Sequence, residues 1–161
     1  LFSYAKQLRM TQQEVREEAK QSEGRPEVKG RIRRLQHAMS RGRMAESVPK
    51  ADVVVTNPTH YAVALQYQPG KDRAPRVVAK GLDLLAQEIR SLARDHRVPV
   101  VEAPPLARAL YRSCEIDMEI PGALYHATAQ VLSYVYQLKA HVRGAPPEPP
   151  RVPDDLPGGQ V

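Results

Sequence analysis

The 161-residue sequence predicts an α/β fold: a small mixed four-stranded sheet surrounded by helices, with a long N-terminal helical arm. Three observations predict it. The first third carries helix start and stop signals together with an excess of positive charge. From Ala51 onward, short runs rich in β-branched residues, bounded by Pro and Gly, replace that pattern. Those runs alternate with stretches of helical period, as a sheet covered by helices requires.

In the arm, Thr11-Gln12-Gln13-Glu14 has the spacing of a capping box, Gly24 is a stop, and Pro26 suits the first turn of a second helix. There Val28, Ile32, Leu35 and Met39 recur at helical spacing and make one apolar stripe. Lys29, Arg31, Arg33, Arg34, Arg41 and Arg43 cover the other faces, and Val48-Pro49 ends the helix. Asp52–Thr56 and Tyr61–Tyr67 read as strands around the turn Asn57-Pro58-Thr59-His60, and Pro69-Gly70 closes the second. Arg76–Lys80 is a third strand. Leu82, Leu85, Ile89 and Leu92 mark a helix reaching His96, and Val98–Glu102 is a fourth strand. This strand–helix–strand succession predicts a parallel pair with a right-handed crossover. Pro105 opens a short helix through Leu106, Ala109 and Leu110, and Pro121 opens the last one, reaching His141. The final "RGAPPEPPRVPDDLPGGQV" is rich in Pro and Gly and is expected to be disordered. Three parts result: a basic connector (1–50), an α/β domain (51–143) and a tail (144–161).

Composition narrows the possibilities. Trp is absent and Phe occurs once, so the core must be aliphatic. A single cysteine, Cys114, excludes an internal disulfide, fits a reducing compartment, and reads as a small buried residue. No apolar run approaches the roughly 18 residues of a membrane-spanning helix, and no signal peptide opens the chain. Starting on Leu, the sequence is expected to be a piece of something longer. Residues 1–50 hold 12 Lys+Arg against 6 Asp+Glu, whereas the remainder is balanced, so the net charge of +6 belongs to the arm. Such an arm suits an anionic partner, nucleic acid or a membrane surface. Between Lys29 and Arg43 it has no aromatic residue for base stacking, which disfavours nucleic acid. His37, His60, His96, His126 and His141 lack metal-ligand spacing, and there is no Gly-rich phosphate loop, so neither metal nor cofactor is expected.

The turn Asn57-Pro58-Thr59-His60 is where chemistry is expected. Asn and Pro are ordinary turn formers, and a hairpin with a satisfied histidine is the plain reading. The sharper one starts from Pro58, which has no backbone N–H and so closes the usual deamidation route of an asparagine. What remains is attack by the Asn57 side-chain nitrogen on the Asn57 main-chain carbonyl, forming a succinimide and expelling Pro58 as a new amino terminus. A tight turn holds the reacting atoms together, and His60 stands near enough to move the proton. Thr59 shapes the turn. A conventional hydrolase lacks a second catalytic group near His60 in the sequence.

Together with "EGRPEVKGRIRR", "VPKADVVVTNPTHYAVAL", "VVAKG", "PPLARALYRSCEIDMEIP" and "LYHATAQVLSYVYQL", this turn closely resembles the cytoplasmic domain of the export switch proteins of type III secretion, the FlhB/YscU family. The resemblance runs from about Met10 to Leu138. It implies that Asn57, Pro58, Thr59 and His60 form a self-cleaving loop, each molecule reacting once rather than turning over. It also implies four transmembrane helices ahead of this piece, a place at the cytoplasmic face of the bacterial inner membrane, and a basic arm near lipid headgroups. The implied partners are other export-gate components, early rod and hook (or needle) substrates, and a secreted ruler protein. Cleavage would permit a change of export specificity. "MTQQEVREE" and "EGRPEVKGRIRR" look flagellar rather than virulence-associated. Asp117 stands where many relatives carry Gly, which bears on the turn before Glu119-Ile120-Pro121 and not on cleavage.

The last helix has two apolar stripes, Leu124, Val131, Val135 and Leu138, and Tyr125, Ala129, Leu132 and Tyr136. Two stripes fit a deeply buried helix. The resemblance implies instead that Ala129 and Leu132, with Ala74 and Pro75, line a shallow apolar pocket for a segment of early substrates.

Overall fold

The computed structural model describes residues 26–58, 60–141 and 143–160. The first arm helix with its capping box, Thr59, Val142 and Val161 lie outside the described residues. The elements are α1 (Pro26–Ser47), a 3-10 turn at Val48–Lys50, β1 (Val53–Asn57), β2 (Tyr61–Gln66), β3 (Arg76–Leu82), α2 (Asp83–Asp95), β4 (Val100–Glu102), α3 (Pro104–Ser113), a 3-10 turn at Gly122–Leu124, and α4 (Tyr125–Ala140). The mixed four-stranded sheet with surrounding helices is therefore present. The chain divides into two units after Gly42 rather than after residue 50. Met44 and Val48 explain the earlier boundary, because both are buried in the domain's hydrophobic core.

Strand order is β3-β2-β1-β4, with β1–β2 and β2–β3 antiparallel and β1–β4 parallel. The expected parallel pair of the third and fourth strands is corrected here: β4 lies beside β1, at the opposite edge from β3. Alternation explains why β1 sits inside. Val53 and Val55 enter one core cluster with α3 and α4, while Val54 enters the other with α2. A strand buried on both faces reads as an uninterrupted apolar run, as "VVV" does. Asp52 and Tyr67, expected within the strands, fall just outside them. They remain joined, because the Tyr67 N–H donates to Asp52 Oδ2 at 2.7 Å and extends the ladder.

The outer edge of β3 is partly covered by residues 117–120. The Asp117 N–H donates to Val77 O at 2.6 Å, the Val77 N–H to Met118 O at 3.1 Å, and the Ile120 N–H to Pro75 O at 2.9 Å. This turn forms with Asp117 at φ +70, the left-handed region. Asp117→Gly is expected to stabilise the domain by about 1 kcal/mol by removing that penalty. A thermal melt that does not rise would contradict it.

The tail is also corrected. Residues 144–160 carry no helix or strand, yet Leu156 is buried in the main core cluster and Val152 packs against it. The Arg108 Nε–H donates to Gly159 O at 2.8 Å and Arg112 Nη1 donates to Gly158 O at 3.1 Å. A Cβ on Gly159 would come 2.8 Å from Pro105 O, so Gly allows this close approach. Low apolar content forbids a core of its own, and the segment instead borrows the one beneath it. Among the described residues no helix is long and apolar enough to cross a membrane.

Candidate functional site

The hairpin between β1 and β2 places Asn57 at the last paired position, opposite Tyr61. Pro58 and His60 follow in the turn, which the His60 N–H closes by donating to Asn57 O at 3.0 Å. That oxygen belongs to the carbonyl which the Asn57 side chain would attack. A donor fixed there before reaction stabilises negative charge as it develops on the oxygen. The neighbouring residues hold the tip from several sides. Thr56 is buried, and its carbonyl accepts from the Ala103 N–H at 2.9 Å. His60 O accepts from the Asp83 N–H at 3.0 Å, tying the turn to the start of α2.

His60 itself is exposed, with Nδ1 3.8 Å from Asp83 Oδ1. Sequence reasoning missed Asp83, because the two residues meet only through the β2–β3 pairing, in which Tyr61 lies opposite Leu82. Its available signal was modest: an acidic residue opening a helix. Beside this pair, the rings of Tyr61 and Tyr111 lie 5.2 Å apart. Lys80 sits over Tyr111 at 4.7 Å from the ring centre and donates to Tyr111 O at 2.9 Å. Burial, then the neighbouring Tyr61, Glu115 and Asp83, push the Tyr111 hydroxyl up, so it stays protonated at neutral pH.

The second group of residues is less assembled. Ala74 and Leu132 share the main core cluster and are almost fully buried. Pro75 is half-buried, and Ala129 is exposed on α4. Ala129 borders a shallow hollow of about 380 Å³ with His126, Gln130, Ser133, Glu148 and Pro150. Neither Ala74 nor Pro75 borders that hollow. The deeply buried reading of the last helix is not met, since Tyr125, Tyr136 and Leu138 are exposed while Ala127, Val131, Leu132 and Val135 are buried. The Cys114 thiol is buried and pushed up chiefly by that burial, which makes it a poor nucleophile. Among the described residues, no group of three or more His, Cys, Asp or Glu could hold a metal ion.

The family model described as the FlhB HrpN YscU SpaS family matches residues 1–135. The flagellar biosynthetic protein FlhB of Salmonella typhimurium is 57% identical over 157 residues, covering 98% of this chain and 41% of that protein. Its counterpart in Escherichia coli is 60% identical over 139 residues, covering 86% of this chain and 36% of that protein. The chain thus spans well under half the length of these curated relatives. Among solved structures, the cytoplasmic domain of FlhB from Shewanella putrefaciens matches with a TM-score of 0.64 at 43% identity, covering 74% of this chain and 96% of that one. A mutated EscU C-terminal domain matches with a TM-score of 0.56 at 34% identity, covering 57% of this chain and 98% of that one.

Proposed function

This chain belongs to the FlhB HrpN YscU SpaS family, and from that premise we propose that it is the cytoplasmic part of a type III export component which cuts its own backbone between Asn57 and Pro58. The observation that carries the reading is the hydrogen bond from the His60 N–H to Asn57 O. In the proposed reaction the Asn57 side-chain nitrogen bonds to the Asn57 carbonyl carbon, and the oxygen gains negative charge under the His60 N–H. The bond from that carbon to the Pro58 nitrogen then breaks. One proton leaves the attacking nitrogen and reaches the Pro58 nitrogen, carried by the His60 imidazole. The products are a C-terminal succinimide on residue 57 and a free amino terminus on Pro58, so atoms balance without a co-reactant. Each molecule reacts once.

The cut is proposed to permit a change of export specificity from early rod and hook subunits to later ones. The flagellar branch is favoured over the virulence branch by the two FlhB relatives above. The basic arm would lie near anionic lipid at the inner face of the membrane, with other export-gate components and a secreted ruler protein as further partners. An intact-mass spectrum of purified protein tests the cleavage. Masses of residues 1–57 and 58–161 are expected, the first partly one water lighter as succinimide. A single uncut mass after prolonged incubation would refute it.

Ala74, Pro75, Ala129 and Leu132 are proposed to receive a short apolar segment of early substrates. Ala129 supports this, being exposed on α4 directly beside the buried Leu132 and Thr128. Ala129→Glu is expected to leave cleavage and circular dichroism unchanged. It should weaken binding of an early-substrate peptide about tenfold or more, because a charge would enter an apolar contact. Unchanged peptide affinity in the folded variant would return these residues to a purely structural role.

A further inference from the structure

Asp83 is distant from His60 in sequence, yet three observations bind it to that residue. Its carboxylate oxygen Oδ1 lies 3.8 Å from His60 Nδ1. Its N–H donates to His60 O at 3.0 Å, so the two side chains spring from main chains already clamped together. Finally, Asp83 adopts φ +48, a left-handed conformation that is costly for a residue with a side chain. Gly would serve that backbone better if only the backbone mattered.

We propose that Asp83 is a positioning residue for the cleavage of the Asn57–Pro58 bond. The inference rests on the self-cleavage reading above. The Asp83 carboxylate directs His60 Nδ1–H toward itself, which leaves Nε2 as the nitrogen that accepts a proton from the Asn57 side chain and releases it to the Pro58 nitrogen. While the imidazole carries that proton it is a cation, and the carboxylate stabilises this transient form more than the neutral ring. At 3.8 Å the pair stands just beyond hydrogen-bond length, and it tightens as charge develops on the ring. Other titratable and charged groups at this end of the sheet include Tyr61 from β2, Lys80 from β3, Glu102 from β4 in register with Thr56, Tyr111 from α3 and Glu115 just after it. Lys80 is directed to the Tyr111 carbonyl and ring and to Glu115 Oε2, at 3.6 Å. Its ammonium is thus committed on the α3 side.

The test follows cleavage by pulse-labelled cell-free synthesis of the full chain, resolved on denaturing gels. Compared are the wild type, Asp83→Asn, Asp83→Gly, His60→Ala, and the double variant His60→Ala/Asp83→Asn. Because the pair is exposed, Asp83→Asn and Asp83→Gly should each slow cleavage about three- to five-fold. Asp83→Gly relieves the backbone strain, so slow cleavage in that folded variant cannot be a folding defect. In the His60→Ala background, Asp83→Asn should cause no further slowing, as expected for a residue that acts through the imidazole. Nitrogen NMR on an uncleavable Asn57→Ala chain supplies a second readout. The proton on His60 Nδ1 should be populated with Asp83 present and lose its preference in Asp83→Asn. Wild-type rates in Asp83→Gly, or equal slowing by Asp83→Asn with and without His60, would overturn the inference while leaving self-cleavage standing. An uncut wild-type chain would instead remove the reading beneath it.

Discussion

Asn57→Ala is expected to leave a single uncut chain under conditions where the wild type, if it cuts itself as proposed, runs on a denaturing gel as residues 1–57 and 58–161. The effect is all-or-none because the substitution deletes the attacking nitrogen, while the turn, its His60 N–H to Asn57 O bond and the strands on either side persist. Folding is expected to be little changed, since Asn57 ends β1 at a half-buried position. Pro58→Ala should cut more slowly, because it restores a backbone N–H and with it the competing deamidation route. His60→Ala should also slow the reaction, with part of the rate recovered at raised pH, where solvent base replaces the imidazole. The mass of the first piece distinguishes this chemistry from a contaminating protease, which leaves no succinimide. If Asn57→Ala were still cut at the same bond, cyclisation would be the wrong mechanism.

Residues 58–161 expressed alone are expected to fail to fold, and a synthetic peptide covering 43–57 is expected to restore the fold on mixing. The expectation follows from where the cut falls. β1 lies between β2 and β4, so its loss strips β4 of its partner, bares one edge of β2 and opens both core clusters. Val53, Val54 and Val55 are fully buried. Each contributes roughly 1.5–3 kcal/mol by burial. Their sum is comparable with the roughly 5–15 kcal/mol that holds an ordinary domain together. For the same reason the cleaved wild type should behave as one particle in native buffer and separate only when it unfolds. Circular dichroism of the lone fragment checks the first statement, and size-exclusion chromatography of the cleaved protein checks the second. A well-folded 58–161 would show that β1 is dispensable.

These two expectations differ in how much of their basis is legible in the sequence. The reaction proposed at Asn57 needs only covalent neighbours: an amide side chain, its own carbonyl, and a proline that cannot compete. The elements are equally local, because short apolar runs bounded by turn residues mark "DVVVT" and "YAVAL", and a period near 3.6 marks α2. The strand boundaries moved by only a residue or two, as at Asp52, Tyr67 and Val98, whereas the last helix opens at Tyr125 rather than Pro121, after a 3-10 turn. Burial of the last helix was harder to read. Its second stripe is apolar by composition, but whether Tyr125 and Tyr136 are covered depends on what packs alongside, and nothing covers them fully.

What the sequence determines by itself, then, is the Asn57-Pro58-Thr59-His60 turn, the aliphatic core, the charge of the arm and the type of each element, all set by residues within a few positions of one another. Tertiary structure alone decides that β4 joins β1 rather than β3, since both outer edges of the β3-β2-β1 meander could take it and local pattern cannot choose between them. It decides that Leu156 leaves a Pro-rich tail to enter the core cluster that holds Leu106, Ala109 and Leu110 of α3, residues far from it in sequence. It also brings Asp83 to His60, because only the paired register of β2 and β3 sets the first residue of α2 against the turn. Side-chain chemistry is written residue by residue, but the neighbours that tune it arrive by long-range pairing, which no short window of sequence contains.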